Sequence, residues 1–283
     1  MITRRTFLFG LGAGIAIGAL AACNRAARLS NLAELRRRAG NGQLTVGFIP
    51  YYEITTDEGP EKPPSGFLVE VFSMFAAAAG FSMEQIRWRS ITWASFGALV
   101  QSGAVDFSIA GTFVTPARAN AVAFTRPLFA LGNGAAARKD DARFKSVSSV
   151  SDLDQSDLRI AVVAGEQSAE YVGREFKKAS LLVLDGPDLA AAPTAVRNGR
   201  ADVAMSDQFI LGRYVQAHPD MVDLLRGHPF SVLPIAWAVA KGNSGLLAEI
   251  NPLLSTIIQS DAYKALQARY TTIPFAPLPD NRR

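Results

Sequence analysis

Cysteine is almost missing from this chain: its 283 residues contain one, Cys23. A lone thiol forms no intrachain disulfide, so no part of the fold is stapled. Histidine is nearly as scarce, with two residues. His218 and His228 each precede a proline and have no Cys or carboxylate at ligand spacing, which reads as loop positions and leaves no metal site to expect. No basic block exceeds Arg36-Arg37-Arg38, and 29 basic residues stand against 25 acidic ones. With Arg4 and Arg5 set aside the two signs nearly balance, which excludes the basic footprint of a nucleic-acid partner. There is no Gly-rich phosphate loop and no nucleophile–base pair of recognisable spacing, so no cofactor is expected. The one long apolar run, Phe7–Ala22, is rich in Gly and Ala and falls short of the ~20 strongly apolar residues of a membrane span.

What is present begins at the N-terminus. Thr3-Arg4-Arg5-Thr6-Phe7-Leu8 precedes the short apolar core, and no acidic residue occurs before Cys23. That is the pattern of a twin-arginine export signal. Leu20-Ala21-Ala22-Cys23 resembles the lipobox of bacterial lipoproteins, with cleavage before Cys23 and a diacylglycerol on its thiol. Residues 1–22 are therefore expected to be an export signal. The mature chain is expected in the periplasm or at the cell surface, held to the membrane by lipid on Cys23. Residues 23–43, polar and arginine-rich, read as a tether ending in a short helix around Leu32–Arg38.

From Leu44 the chain alternates short apolar strands with helices, which argues for an α/β fold with largely parallel sheets. The first half offers strands at Leu44–Phe48, Ile86–Arg89 and Val105–Ala110, and a helix Phe67–Ala79 stopped by Gly80 where a left-handed cap is needed. A second run offers Leu158–Val163, Leu181–Leu184 and Val203–Met205, with helices over Ser168–Lys178 and Asp188–Asn198. Gly132-Asn133-Gly134 is a permissive spot suited to a crossing between two halves. A further strand, Ile235–Ala240, precedes two terminal helices. About 240 mature residues exceed the usual size of a single core, so two lobes are expected.

The most informative stretch runs from Trp93 to Phe129. It reads Trp93-x2-Phe96-x3-Val100-x2-Gly103-x2-Asp106, then a strand, then Gly111-Thr-Phe-Val-Thr-Pro-Ala-Arg118, then Phe124-Thr-Arg-Pro127. Thr115-Pro116 opens a helix, with Thr as the cap and Pro in the first turn. Arg118 then sits in that first turn, where its charge opposes the helix dipole, so stability alone does not favour it. With the N–H groups of the Gly111–Val114 turn it could hold a carboxylate bidentately. The bland alternative is an exposed arginine at a helix start.

This string resembles the first-lobe signature of the family 3 extracellular solute-binding proteins, the amino-acid-type receptors of ABC importers. The resemblance extends upstream to Leu44-Thr-Val-Gly47, Pro50, Tyr52 and Gly66-Phe67, and downstream to Ile160–Gly165 and Ala201–Asp207. It implies a two-lobed periplasmic-binding-protein fold (type II), each lobe a mostly parallel sheet flanked by helices, with the ligand in the cleft between them. The implied lobes are 44–131 with 230–276, and 132–229, leaving 277–283 as a tail. Two crossings of this kind make a hinge that a ligand closes. It implies a monomer that passes a small amino-acid-like ligand to an ABC permease. By the same resemblance Arg118 clamps a ligand carboxylate, Gly111 lends its N–H, Asp207 takes an ammonium, and Tyr52 and Trp93 are platforms. For Asp207 the alternative is a helix N-cap, compatible with ligand contact; for Tyr52 and Trp93 it is core packing.

Two departures fall in the expected site. Phe113 stands where the family usually has Ser or Thr, and Glu166, followed by Gln167, stands where it usually has Thr. A carboxylate at Glu166 repels a ligand carboxylate, by about 1 kcal/mol even in a wet site. Three outcomes are open: Glu166 points outward, it meets a second cationic group of the ligand, or the ligand is not an ordinary α-amino acid. The reading is a receptor for an amine-bearing ligand, not an enzyme. Two alternatives remain: a cyclohexadienyl-dehydratase-like enzyme using Glu166 or Glu170 as acid, and a lipoprotein that senses a ligand for a signalling receptor. Glu170 is expected on a solvated helix face.

Overall fold

The computed structural model describes residues 29–225 and 227–278. The expected export signal and lipobox, with Cys23, lie outside the described residues.

Helix α1 (Leu32–Gly40) starts where the Asn31 side chain accepts the Glu34 N–H at 2.8 Å. Leu29, Leu35 and Ala39 are buried in the main core, so from Leu29 onward the stretch expected as a tether is part of the packed body. Strand β1 (Thr45–Phe48) follows, then α2 (Phe67–Ala79), β2 (Arg87–Ser90), α3 (Phe96–Gln101), β3 (Phe107–Phe113), α4 (Pro116–Ala121) and β4 (Val122–Phe124). Gly80 closes α2 in the left-handed conformation, φ 76, as its position demanded. The long strand β5 (Phe129–Arg138) leads to β6 (Arg159–Val163), α5 (Gln167–Glu175), β7 (Ser180–Leu184), α6 (Ala191–Arg197), β8 (Val203–Asp207), α7 (Gln208–Ala217) and β9 (Met221–Asp223). A second long strand, β10 (Phe230–Ala240), returns to the first half before α8 (Ser244–Gln259) and α9 (Asp261–Arg269).

The chain builds an α/β fold of two lobes on one continuous mixed sheet, ordered β2-β1-β3-β10-β5-β8-β6-β7. Within each lobe the short strands run parallel: β1 beside β2 and β3, and β6 beside β7 and β8. The two long strands are antiparallel to each other and to their neighbours β3 and β8, which makes the sheet mixed. Each long strand serves both lobes. β10 pairs with β5 near its start and with β3 and β4 near its end. β5 pairs with β10 near its start, then with β8 and β9.

Three strands outrun their expected ends, for one reason. β3 continues to Phe113 because Thr112 and Phe113 pair with Ala236 and Ile235 of β10. β8 continues to Asp207, which pairs with Asn133 of β5, and β10 begins at Phe230, which also pairs with Asn133. A distant antiparallel partner, not local apolar pattern, sets each end. Gly132-Asn133-Gly134 likewise lies inside β5, not in a loosened turn. A Cβ on Gly132 would stand 2.4 Å from the Pro229 Cβ, so glycine is there for the close pass of the two chain segments.

The first lobe's core is aromatic: Trp237 packs edge-on against Phe72 and Phe75 at centroid distances of 5.3 and 5.6 Å. Such pairs add about 0.5–1.5 kcal/mol each beyond simple burial. The second lobe buries smaller aliphatic residues, Ile160, Val162, Val172 and Met205 on one face and Ala161, Val163, Val196 and Ala204 on the other. Both cores lie beneath the loops that follow the strand ends, where ligands of open α/β sheets bind.

Candidate functional site

Four loops converge between the lobes. The first is a turn at Tyr51–Thr55, closed by the Tyr51 N–H on the Thr55 carbonyl at 2.7 Å. Tyr52 lies there at φ 47, a conformation costing a non-glycine residue about 1 kcal/mol or more. The second is the Thr115-Pro116 helix start. The Thr115 Oγ1 accepts the Arg118 N–H at 3.2 Å, and this cap fixes Arg118 in the first turn. The third is Ala164–Ser168, between β6 and α5. The fourth is the junction of β8 and α7 at Asp207, whose Oδ1 accepts the N–H groups of Phe209 and Ile210 at 2.9 and 3.0 Å.

The last three of these loops bring Arg118, Glu166, Gln167 and Asp207 around one enclosed space, where they meet Trp93 from the β2–α3 connection, Phe113 at the end of β3 and Asn133 of β5. The space measures about 10 Å³, on the order of one water molecule. The lobes are therefore shut on each other. Gly165, at φ 81, is one point of close contact, since a Cβ there would fall 2.7 Å from the Ala94 nitrogen and 2.8 Å from the Trp93 carbonyl carbon. Only glycine tolerates both that conformation and that approach.

Arg118 is 6% exposed, and each of its three guanidinium nitrogens makes a hydrogen bond. Its Nε donates to Glu170 Oε1 at 2.8 Å, its Nη2 to the Gly165 carbonyl at 2.7 Å and its Nη1 to the Phe113 carbonyl at 3.3 Å. Thr115 Oγ1 steadies the other Glu170 oxygen at 3.1 Å. Trp93 and Phe96 lie about the guanidinium at 6.0 and 5.8 Å. Burial lowers the Arg118 ionisation from its usual value, while Glu170 and Glu166 act in the opposite sense. Glu170 thus corrects the sequence reading: it is no solvated-face residue but the partner of Arg118 across the cleft.

Glu166 does not point outward. It is 5% exposed, and its Oε2 accepts the hydroxyls of Ser206 at 2.8 Å and Ser168 at 3.2 Å. Its Oε1 has no protein partner, and neither does the Asn133 Oδ1 or the Trp93 Nε1. Burial, then the Asp207 charge, pushes the Glu166 carboxyl up to about 8, against the pull of the two serines and Arg118. Burial also raises Asp207, to about 6, although Tyr51 and the α7 N–H groups act to lower it. Of the two carboxyls, Glu166 holds its proton to the higher pH. Gln167 ties the second lobe to both long strands: its Oε1 accepts from Asn133 Nδ2, and its Nε2 reaches the Ser231 hydroxyl at 3.3 Å.

Two residues expected in the site do not line the enclosed space. Tyr52 lies beneath the Arg213 guanidinium, 5.0 Å from its ring centroid, and Arg213 in turn pairs with Glu53. Gly111, at φ 66, faces Leu68 and Ile54 behind β3. Sequence reasoning missed Asn133 as a site residue; its one signal was an Asn held between two glycines. It also missed Tyr51, wholly buried against the Asp207 carboxylate, whose phenol is pushed well up by burial and by that charge.

The sequence model of the bacterial extracellular solute-binding proteins, family 3, matches residues 44–273. A probable histidine-binding protein of Neisseria gonorrhoeae is 26% identical over 264 residues, covering 89% of this chain and 90% of its own length. The ABC transporter glutamine-binding protein of Bacillus subtilis (strain 168) is 26% identical over 216 residues, 75% of this chain and 76% of its own. Among solved structures, an ancestral amino-acid-binding protein described as a precursor of cyclohexadienyl dehydratase superposes with a TM-score of 0.71 at 24% identity. It covers 83% of this chain and 98% of its own.

Proposed function

Since the chain belongs to the bacterial extracellular solute-binding proteins, family 3, we propose that it captures a small amine-bearing, amino-acid-like ligand by lobe closure and delivers it to an ABC permease. The observation that carries the amine is the pair of buried carboxyls, Glu166 and Asp207, facing one enclosed space with the Glu166 Oε1 and Asn133 Oδ1 unpartnered. An ammonium bonded to these acceptors satisfies groups whose burial alone is costly. Trp93 and Phe113 form the apolar wall for the rest of the ligand, with Arg118 and Gln167 at its ends. Tyr52 and Gly111 shape the turn and strand behind that wall.

The lobes are taken as 44–131 with 230–276, and 132–229, hinged where β5 and β10 pass between them. In the closed form Arg118 and Arg213 bridge the lobes through Glu170 and Glu53. A ligand shifts the open–closed balance only by its differential affinity for the closed state. Lipid on Cys23 holds the monomer at the membrane, in the periplasm or at the cell surface, within reach of the permease.

A thermal-shift screen of the full chain against amino acids, polyamines, opines and organic acids tests this reading, because any ligand selective for the native state raises the midpoint. Shifts confined to amine-bearing compounds and lost in Asp207→Asn support it. Shifts confined to sugars or amine-free acids overturn it. One observation favours a second reading, a dehydratase: Glu166 holds its proton near neutral pH, as a general acid must. Release of an aromatic product from prephenate or arogenate would establish that chemistry.

A further inference from the structure

We infer that Glu170 fills the place of a ligand carboxylate on Arg118, so the preferred ligand is a small amine that lacks a carboxylate. This rests on the receptor reading above and refines its ligand class. The geometry starts at Arg118. A buried guanidinium in a binding cleft is the natural anchor for an anionic ligand group. Here the anchor is already taken. Glu170 accepts from Nε at 2.8 Å, and the carbonyls of Gly165 and Phe113 accept from Nη2 and Nη1.

The pairing is built rather than incidental. Thr115, which caps the helix bearing Arg118, also donates to Glu170 Oε2 at 3.1 Å, so both carboxylate oxygens are held. A ligand carboxylate would have to displace Glu170. It would then lie among three carboxyl groups, those of Glu166, Glu170 and Asp207, with one guanidinium to offset them. The apolar side chain of Phe113 offers no hydroxyl at that end of the space.

The open hydrogen-bonding capacity of this wall is one neutral donor, the Trp93 Nε1, and two side-chain oxygens. Glu166 Oε1, an acceptor once an incoming cation ionises the carboxyl, and Asn133 Oδ1 have no partners, on side chains 5% and 1% exposed, and both residues line the enclosed space with Asp207. An ammonium or guanidinium group supplies donors to all three. The remaining wall is the Trp93 ring and Phe113, suited to a methylene chain or an aromatic ring. Within the amine-bearing class this favours members whose only charged groups are cationic.

Matched pairs differing by one carboxylate test the point: agmatine with L-arginine, cadaverine with L-lysine and histamine with L-histidine, by titration calorimetry on the full chain. The expected result is that in at least one pair the amine binds ten-fold or more tightly than its acid. In Glu170→Gln, which frees Arg118, that preference narrows or reverses in favour of the acid. Circular dichroism confirms that the variant folds, and the wild-type ranking stands as a test without it. If an acid binds more tightly than its amine in the wild type, Glu170 yields to ligand carboxylates, and the inference is overturned while the receptor reading stands. If no member of any pair gives heat, the inference is overturned; if amine-free acids then raise the melting midpoint, the amine-bearing ligand class proposed above goes with it.

Discussion

Replacing Glu166 by glutamine should stabilise the protein at neutral pH and leave it unchanged in acid. Glutamine keeps an oxygen for the Ser206 and Ser168 hydroxyls, now at 2.8 and 3.2 Å from Glu166 Oε2, and removes only the capacity to ionise. In the folded protein the Glu166 carboxyl is raised from its ordinary value of 4.5 to about 8. The sign follows from proton counts. Between those values the folded chain keeps a proton that the unfolded chain has released, so stability falls as pH rises through that window and levels off above it. The slope is at most ~1.4 kcal/mol per pH unit, which by pH 7 accumulates to roughly 3 kcal/mol carried by the wild type and absent from Glu166→Gln. For a chain of this size each kcal/mol moves the melting midpoint by about 2–4 °C. Thermal melts of both proteins from pH 4 to pH 9, without ligand, should converge at the acid end and separate steadily toward pH 8. Asp207 rises too, and because its charge acts on Glu166 the two titrate as a pair, so the separation between the curves reads the loss of that coupled titration. A constant gap across the whole range would refute the reasoning, since Glu166 would then not be the group that titrates. The same variant should lose affinity for amines, the usual trade between a strained site and its function.

Gly165→Ala should block closure, because its Cβ would fall 2.7 Å from the Ala94 nitrogen. Ligand affinity should drop by about 100-fold or more, an effect of several kcal/mol, and small-angle scattering should show no contraction with ligand. Asp207→Ala should be about 1 kcal/mol less stable than Asp207→Asn through the lost α7 cap, and it should lose amine binding. Asp207→Asn keeps a capping oxygen and should lose mainly the binding; equal melting midpoints for the two variants would remove the cap from the account. Binding of an ammonium beside Glu166 should release close to one proton near pH 7, because the carboxyl at about 8 is driven to ionise. Calorimetry in buffers of different ionisation enthalpy reads that number directly, and heats independent of buffer would contradict it.

Much of the site's framework was legible because it rests on local chemistry. The Thr115-Pro116 helix start, the left-handed stop at Gly80 and the Asp207 cap are written within three or four residues of each other, where capping and backbone conformation decide. Less visible were the partnerships. Glu170 lies 52 residues from Arg118 in the chain, and helix periodicity alone placed it toward solvent. Asn133 carries a turn-like signature, yet it sits within a ten-residue strand because β10 and β8 pair on either side of it.

By itself the sequence determined most of the helices and short strands, the two-lobed α/β plan and the loops that carry polar residues to the strand ends, while the long strand β5 was read only as a crossing at Gly132–Gly134. Period, caps and glycine conformations are properties of neighbouring residues and need no knowledge of what lies opposite. Only the tertiary structure decided that Glu166 faces inward, that Glu170 occupies Arg118, and that the lobes press together at Gly165. Those facts depend on separations of a few ångströms between segments far apart in the chain. The same carboxylate is harmless in water and costly when dry, so its environment, not its identity, sets what it does.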